Sequence, residues 1–199
     1  TVALSAAAIN GQNQSADSYK KEAIAWIESN RPALTALASH IWDYAEPALL
    51  ETKSAQELSA FIERHGFSVV RGVADMPTAF VATYGSGKPV IGILGEFDAL
   101  PGLSQKAGST SKEALVEGAP GHGCGHNLFG VASAAAAIAI KGAMEKHNLK
   151  GTIQFFGCPA EETVVGKVYM AKAGLFDSLD ICLDWHPSSE NDVSLGTTN

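Results

Sequence analysis

Cysteine, positive charge and long apolar runs are all scarce in this sequence, and each shortage excludes a class of protein. Three cysteines in 199 residues, Cys124, Cys158 and Cys182, are too few and too widely spaced for a disulfide scaffold. Only 14 Lys+Arg stand against 21 Asp+Glu, so no basic stripe is available for nucleic acid. No apolar run approaches the ~20 residues that span a bilayer. We therefore expect no nucleic-acid partner and no membrane partner.

What the sequence does contain is typical of a globular domain. Hydrophobic residues make up 46% of the chain and charged residues 18%, which excludes intrinsic disorder. Residues 1–17 pass from small apolar side chains to polar ones, and we expect a flexible N-terminal segment there. The odd number of cysteines leaves a free thiol, which favours a cytoplasmic location. Residues 1–9 would instead indicate export if they are the remnant of a signal peptide.

Hydrophobic periodicity predicts alternating helices and strands. Apolar residues recur at three-to-four spacing over Ser18 to Ala45, where Pro32 begins a second helix or kinks a long one. Further helices are predicted after Glu51 and over 129–144 and 163–175, and strands over 67–73, 78–84, 89–94, 152–156 and 180–185. The strand over 180–185 is expected to be central. Alternation with short returns implies right-handed crossovers, so the predicted fold is an α/β three-layer sandwich with a mainly parallel central sheet.

Polar side chains follow three of these strands and precede one helix. The residues that share this position are Glu96, Asp98, Cys124, His126, Glu161, Glu162 and His186. Open parallel sheets bind ligands outside the carboxyl ends of their strands. Because four separate segments deliver carboxylates, imidazoles and a thiol to one edge, we expect these side chains to lie close together.

Such a donor set is borderline-soft and suits Zn²⁺ or Mn²⁺. Each element alone has an ordinary structural explanation. Cys124 and His126 could be a buried thiol beside a hydrogen-bonded histidine, and His186 could simply end a strand. Adjacent acids such as Glu161 and Glu162 also suit the first turn of a helix, where the dipole favours negative charge. The combination of all four segments favours a metal site over these separate explanations.

The adjacent carboxylates Glu161 and Glu162 indicate the chemistry. Two neighbouring carboxylates repel each other, so one gains by binding a cation while the other takes a proton from metal-bound water. We assign Glu162 as a metal ligand and Glu161 as the general base, although the spacing also allows the reverse. A Cys124 thiolate between two ions could bridge them. Asp98 suits a position behind His126, orienting it through its second ring nitrogen.

Four motifs resemble the M20 metallopeptidases. They are Trp42–Pro47 (WDYAEP), Gly95–Gln105 (GEFDALPGLSQ), Gly121–Asn127 (GHGCGHN) and Pro159–Glu162 (PAEE). The resemblance covers most of residues 18 to 187 and is strongest to the amidohydrolase branch that contains the p-aminobenzoyl-glutamate hydrolases.

The resemblance implies two divalent ions, zinc or manganese, and hydrolysis of an amide bond to an amino acid. By motif position it implies Cys124, His126, Glu162 and His186 as metal ligands and Glu161 as the base. The substrate would be an N-acyl amino acid or a dipeptide-like compound such as p-aminobenzoyl-glutamate. Many amidohydrolases of this family have Asp where this chain has Glu96 and Asn127, and both differences resemble the aminobenzoyl-glutamate branch.

Proteins of this family resemble chains about twice as long, with a lid or dimerisation domain and a further histidine ligand beyond the first catalytic segment. We therefore expect residues 18–199 to be that first segment. The missing domain would mediate a homodimer or pairing with a related subunit. The segment alone is expected to bind metal weakly and to be inactive.

Two other functions fit parts of the pattern. Cys124 could be a nucleophile with His126 or His186 as its base, as in a cysteine amidase or peptidase, but this leaves Glu161 and Glu162 without a role. The chain could also be a non-catalytic metal-binding subunit. Against this, every candidate group for catalysis on this chain is intact.

Overall fold

The computed structural model describes residues 2–190 and consists of one five-stranded sheet with helices on both faces. The helices are α1 (Val2–Tyr44), α2 (Thr52–Arg64), α3 (His126–His147) and α4 (Gly166–Lys172), and the strands are β1 (Ser68–Arg71), β2 (Phe80–Ser86), β3 (Val90–Glu96), β4 (Gly151–Cys158) and β5 (Ile181–Leu183). The predicted α/β class is confirmed. The flexible segment 1–17 and the domain extent 18–199 stay predictions, since residue 1 and residues 191–199 lie outside the described residues.

The sheet is less parallel than the sequence predicts. Its strand order is β1-β2-β4-β3-β5, and only the β3–β4 and β3–β5 pairs are parallel. β1 and β2 pair antiparallel, and so do β2 and β4. The eight-residue return between β1 and β2 is too short for a parallel crossover, which needs a dozen or more residues. β5 is an edge strand and not the central strand that we predicted, because among the described residues it pairs with β3 alone.

Two apolar clusters cover the two faces of the sheet. On β4, Phe155 packs with α1, α2 and α3, whereas the next residue, Phe156, packs with Met170 of α4 on the opposite face. This alternation follows from the two-residue period of a strand. The predicted arrangement of helix, sheet and helix layers is therefore confirmed.

The helices differ in extent from their predicted bounds. α1 continues through Pro32 and begins before Ser18. α2 follows Glu51 and ends at Arg64, beside the predicted stop at His65 and Gly66. α4 is shorter than the predicted 163–175 helix, since Val164 adopts a left-handed conformation with φ 58°. α3 is long and apolar enough to cross a membrane by composition, but 67% of its most apolar window is buried inside the fold.

A close contact between α3 and β3 positions the N-terminus of α3. A Cβ on Gly130 would lie 2.5 Å from the carbonyl oxygen of Glu96, so only glycine allows this approach. Helix α3 begins at His126, one turn before Gly130, and β3 ends at Glu96. The contact therefore brings His126 against the carboxyl end of β3.

Candidate metal centre

The predicted site residues lie together at the carboxyl ends of β3, β4 and β5. Strands β3 and β4 run parallel, with Glu96 opposite Cys158, so the segments that follow them leave the same edge. Glu161 and Glu162 come three and four residues after the end of β4 and form a short 3-10 turn. The parallel part of the sheet is thus the part that carries the site.

His126 is the centre of the cluster and is fully buried. Its Nδ1 lies 2.9 Å from Oδ1 of Asp98 and 3.1 Å from the Asp98 carbonyl oxygen. The other carboxylate oxygen of Asp98 accepts the backbone N–H of Glu162 at 2.9 Å. Asp98 is therefore placed where it orients the ring of His126 and holds the backbone that carries Glu162.

The second ring nitrogen of His126 faces two further carboxylates. Its Nε2 lies 3.0 Å from Oε2 of Glu96 and 3.8 Å from Oε2 of Glu161. One oxygen from each carboxylate and one nitrogen of His126 lie within 4.8 Å of one another. Lys167 forms an ion pair with the other oxygen of Glu96.

A second group of donors adjoins the first. The Cys124 Sγ and the His186 Nε2 are 3.3 Å apart, and each lies within 4.8 Å of a ring nitrogen of His126. Glu162 lies next to this group, with Oε1 4.0 Å from Nδ1 of His126 and its charge acting on Cys124. All six predicted site residues therefore belong to one cluster.

Glu161 and Glu162 occupy different environments within it. The Glu161 side chain is 35% exposed, whereas that of Glu162 is 15% exposed. A base that exchanges protons with water and substrate needs access to solvent, and a ligand does not. The difference favours the assignment of Glu161 as base and Glu162 as ligand.

The side chains present fit a cation. Three buried polar atoms in the cluster have no hydrogen-bond partner, namely Glu96 Oε2, His126 Nε2 and Glu162 Oε1. Unpaired polar atoms are rare in protein interiors because each costs free energy. A cation bound by these atoms would satisfy them. Sulfur, imidazole and carboxylate donors together match Zn²⁺ or Mn²⁺.

The electrostatics of the cluster also favour positive charge. Burial raises the pKa of Cys124 to about 11, and the negative charge of Glu162 acts in the same direction. Burial lowers the pKa of His126, but the hydrogen bond to Asp98 and the neighbouring carboxylates outweigh it, so that the pKa rises. Both shifts follow from an excess of carboxylates that a bound cation would balance.

Sequence reasoning missed two residues that contact the cluster. Glu96 was placed at the edge of the sheet, but no role was assigned to it, although its position at the end of β3 is the same signal that identified Asp98. Lys167 was missed because nothing in the sequence links it to Glu96, which lies 71 positions away.

Comparisons with known proteins agree with this geometry. Residues 92–197 match the model of peptidase family M20/M25/M40. The chain is 48% identical to one of the two kinds of chain in the p-aminobenzoyl-glutamate hydrolase of Escherichia coli, its B subunit, over 82% of its own length and 34% of that protein. It is 32% identical to the human Xaa-Arg dipeptidase over 92% of its own length and 42% of that protein. The chain thus spans about a third to two fifths of the curated relatives it matches.

A solved structure shares the fold. The chain superposes on a dinuclear metal-binding peptidase from Bacillus subtilis with a TM-score of 0.67, 21% identity, and coverage of 81% of this chain and 44% of the other. At this identity, the likeness supports a common catalytic-domain fold.

Proposed function

The chain belongs to peptidase family M20/M25/M40, and from that premise we propose that it is the first segment of the catalytic domain of a metal-dependent amidohydrolase. The complete protein would cleave an amide bond to an amino acid. The observation that carries the proposal is the convergence on His126 of two donor groups, one with Cys124 and His186 and one with Glu96 and Glu161.

Two divalent ions fit the donors of this cluster. We propose that Cys124, His126, Glu162 and His186 hold them, and the dinuclear site named for the Bacillus subtilis neighbour supports the number. When bound, such ions polarise an amide carbonyl and make water a better nucleophile near neutral pH.

The chain's own residues would then position and move protons. Asp98 accepts the Nδ1–H of His126 and so leaves Nε2 free to bind a cation. Glu161 takes the proton of the attacking water on its carboxylate and passes it to the leaving nitrogen. Its partial exposure beside the buried His126 supports this role.

The substrate, partner and compartment are proposed from the relatives and the sequence. An N-acyl amino acid of the p-aminobenzoyl-glutamate type agrees with the 48% identity to a hydrolase of that name. A dipeptide-like substrate agrees with the dipeptidase relative. Because the Escherichia coli relative is named as a subunit, pairing with a related chain is supported, and a homodimer is the other proposed assembly. The three free cysteines fit a cytoplasmic location.

Replacement of Glu161 by Gln in the complete protein tests the proposal. We expect turnover of p-aminobenzoyl-glutamate to fall by about 10²–10⁴-fold, since a general base contributes that much. Metal content, measured by elemental analysis, should remain nearly unchanged. Glu162→Gln is the matched variant, because it changes the adjacent carboxylate in the same way, and it should lower metal content. Retained turnover in Glu161→Gln would remove the proposed mechanism.

A further inference from the structure

Glu51 is a fully buried carboxylate that no step of the proposed reaction uses. It precedes helix α2 and has no exposed surface. Its Oε1 accepts the backbone N–H of Leu49 at 2.9 Å and that of Ala160 at 2.8 Å, and its Oε2 accepts the hydroxyl of Thr78 at 3.0 Å. Both oxygens are therefore paired, and one partner lies 109 positions away along the chain.

That distant partner, Ala160, begins the turn that carries Glu161 and Glu162. Ala160 has a left-handed backbone with φ 57°, which is unfavourable for a residue other than glycine. Its carbonyl oxygen accepts the Thr163 hydroxyl at 3.1 Å and the backbone N–H of Gly166 at 3.4 Å. Strained backbone persists only where the surroundings over-determine it, so the contacts of Ala160 set the shape of this turn.

Two buried carboxylates hold the turn on either side of Glu161. Glu51 accepts the N–H of the residue before it, and Asp98 accepts the N–H of the residue after it. The position of Glu161 relative to His126 therefore depends on both. Asp98 also touches His126, but Glu51 acts on the turn alone.

The segment that precedes α2 touches a second loop of the site as well. The carbonyl oxygen of Glu46 accepts the N–H of Ala99 at 2.9 Å, directly after Asp98. The connection between α1 and α2 thus contacts both loops that bear the site carboxylates. Burying a carboxylate costs free energy that an apolar side chain would not incur, so a purely structural role does not account for Glu51.

We propose that Glu51 is a positioning residue that fixes the turn of Ala160 and so places the base Glu161; this inference rests on the proposed function. It acts through the backbone of Ala160 and touches no reacting atom. Removal of its contact with Ala160 should loosen the turn and lower the turnover number more than it changes KM.

Three variants of the complete protein separate this role from simple packing. Glu51→Leu keeps the volume and removes the acceptors. Glu51→Gln keeps an oxygen at the Oε1 position, so both backbone contacts remain and Thr78 becomes the acceptor. Thr78→Val is the matched control, since it removes the contact to Oε2 and leaves Ala160 bound. If Glu51→Leu does not fold, Glu51→Asp replaces it, because the shorter side chain cannot reach Ala160 in the same way.

Amide hydrogen exchange of the peptide covering 158–165 is the first measurement, and it needs no turnover. We expect exchange at Ala160 to accelerate about tenfold in Glu51→Leu and to stay near wild type in Glu51→Gln and Thr78→Val. The turnover number for p-aminobenzoyl-glutamate should fall by about 10–100-fold in Glu51→Leu alone, since a displaced group loses that much.

Unchanged exchange in Glu51→Leu or Glu51→Asp would overturn the inference, as would equal losses in Glu51→Leu and Glu51→Gln. A wild-type protein that hydrolyses no such amide would overturn the proposed function, while the exchange measurement would still test Glu51. An active wild type with unchanged exchange and turnover in Glu51→Leu would overturn the inference alone.

Discussion

Asp98 joins His126 to the backbone of Glu162. Its Oδ1 lies 2.9 Å from Nδ1 of His126, and its Oδ2 accepts the N–H of Glu162 at the same distance. One buried carboxylate therefore sets the ring orientation of one proposed ligand and the backbone position of another. Carboxylates behind a metal-bound histidine commonly tune the affinity of the site.

Replacement of Asp98 by Asn should lower the affinity for Zn²⁺ by about 10–100-fold. Asparagine has a single oxygen, so either the Nδ1–H of His126 or the N–H of Glu162 would face the amide NH₂ group. A competition titration with a chromophoric chelator measures the affinity. Asp43→Asn is the matched control, because Asp43 is exposed on α1. Equal affinities in the two variants would contradict the orienting role of Asp98.

The thiol of Cys124 should react slowly with iodoacetamide in metal-free protein at neutral pH. Burial and the charge of Glu162 raise its pKa to about 11, so about one thiol in ten thousand is ionised at pH 7. The rate should rise about tenfold per pH unit between pH 7 and 10 and should fall when Zn²⁺ is bound.

The pH profile of this alkylation separates a ligand from a cysteine nucleophile. A nucleophilic cysteine has a lowered pKa, so its rate would already level off near neutral pH and would persist with metal present. A Cys182→Ser background removes the exposed thiol from the measurement. A plateau below pH 8 in this background would contradict the assignment of Cys124 as a ligand.

Local patterns in the sequence predict the site better than they predict the sheet. The apolar run of β3 and the polar residues after it place Glu96 and Asp98 correctly at a strand end, since strand ends meet in a parallel sheet. The pairing of β2 with β4 and the edge position of β5 depend on contacts between distant segments, and no local pattern encodes them.

The length of α4 shows the same limit for a helix. The sequence favours a helix from Thr163, but the turn that carries Glu161 forces left-handed backbone at Ala160 and Val164. Tertiary contacts of Ala160, above all the one from Glu51, override the local preference. The departure from the predicted helix therefore falls at the proposed base, where strain commonly accompanies function.

His122 should make the stability of the metal-free protein depend on pH. Burial lowers its pKa to about 4, while its ring lies 3.0 Å from the carbonyl oxygen of Ile41. The unfolded chain takes up a proton near pH 6.5 and the folded chain does not. The free energy of unfolding should therefore be unaffected by this group above pH 6.5 and should fall by about 3 kcal/mol between pH 6.5 and pH 4.

Urea unfolding of wild type and His122→Gln at several pH values, with chelator present, measures this contribution. The glutamine amide can still donate to the carbonyl of Ile41 but does not titrate. The difference in unfolding free energy between the two proteins should be constant from pH 7 to 8 and should change in favour of the variant below pH 6.5. Parallel pH curves would show that His122 does not carry the effect.

Gly130 should be intolerant of even a methyl group, and the loss should extend to metal binding. A Cβ at this position would lie 2.5 Å from the carbonyl oxygen of Glu96, so Gly130→Ala must push α3 away from β3. Overpacking of this kind costs about 1–3 kcal/mol. Because α3 begins at His126 and β3 ends at Glu96, the same displacement separates two groups of the metal cluster. Gly142→Ala in the same helix is the control, since nothing lies within 4 Å of its added Cβ. It should stabilise the protein by up to about 1 kcal/mol and leave metal affinity unchanged, since alanine has the higher helix propensity. Urea unfolding and zinc titration of both variants check the pair, and equal unfolding free energies would contradict the close contact between α3 and β3.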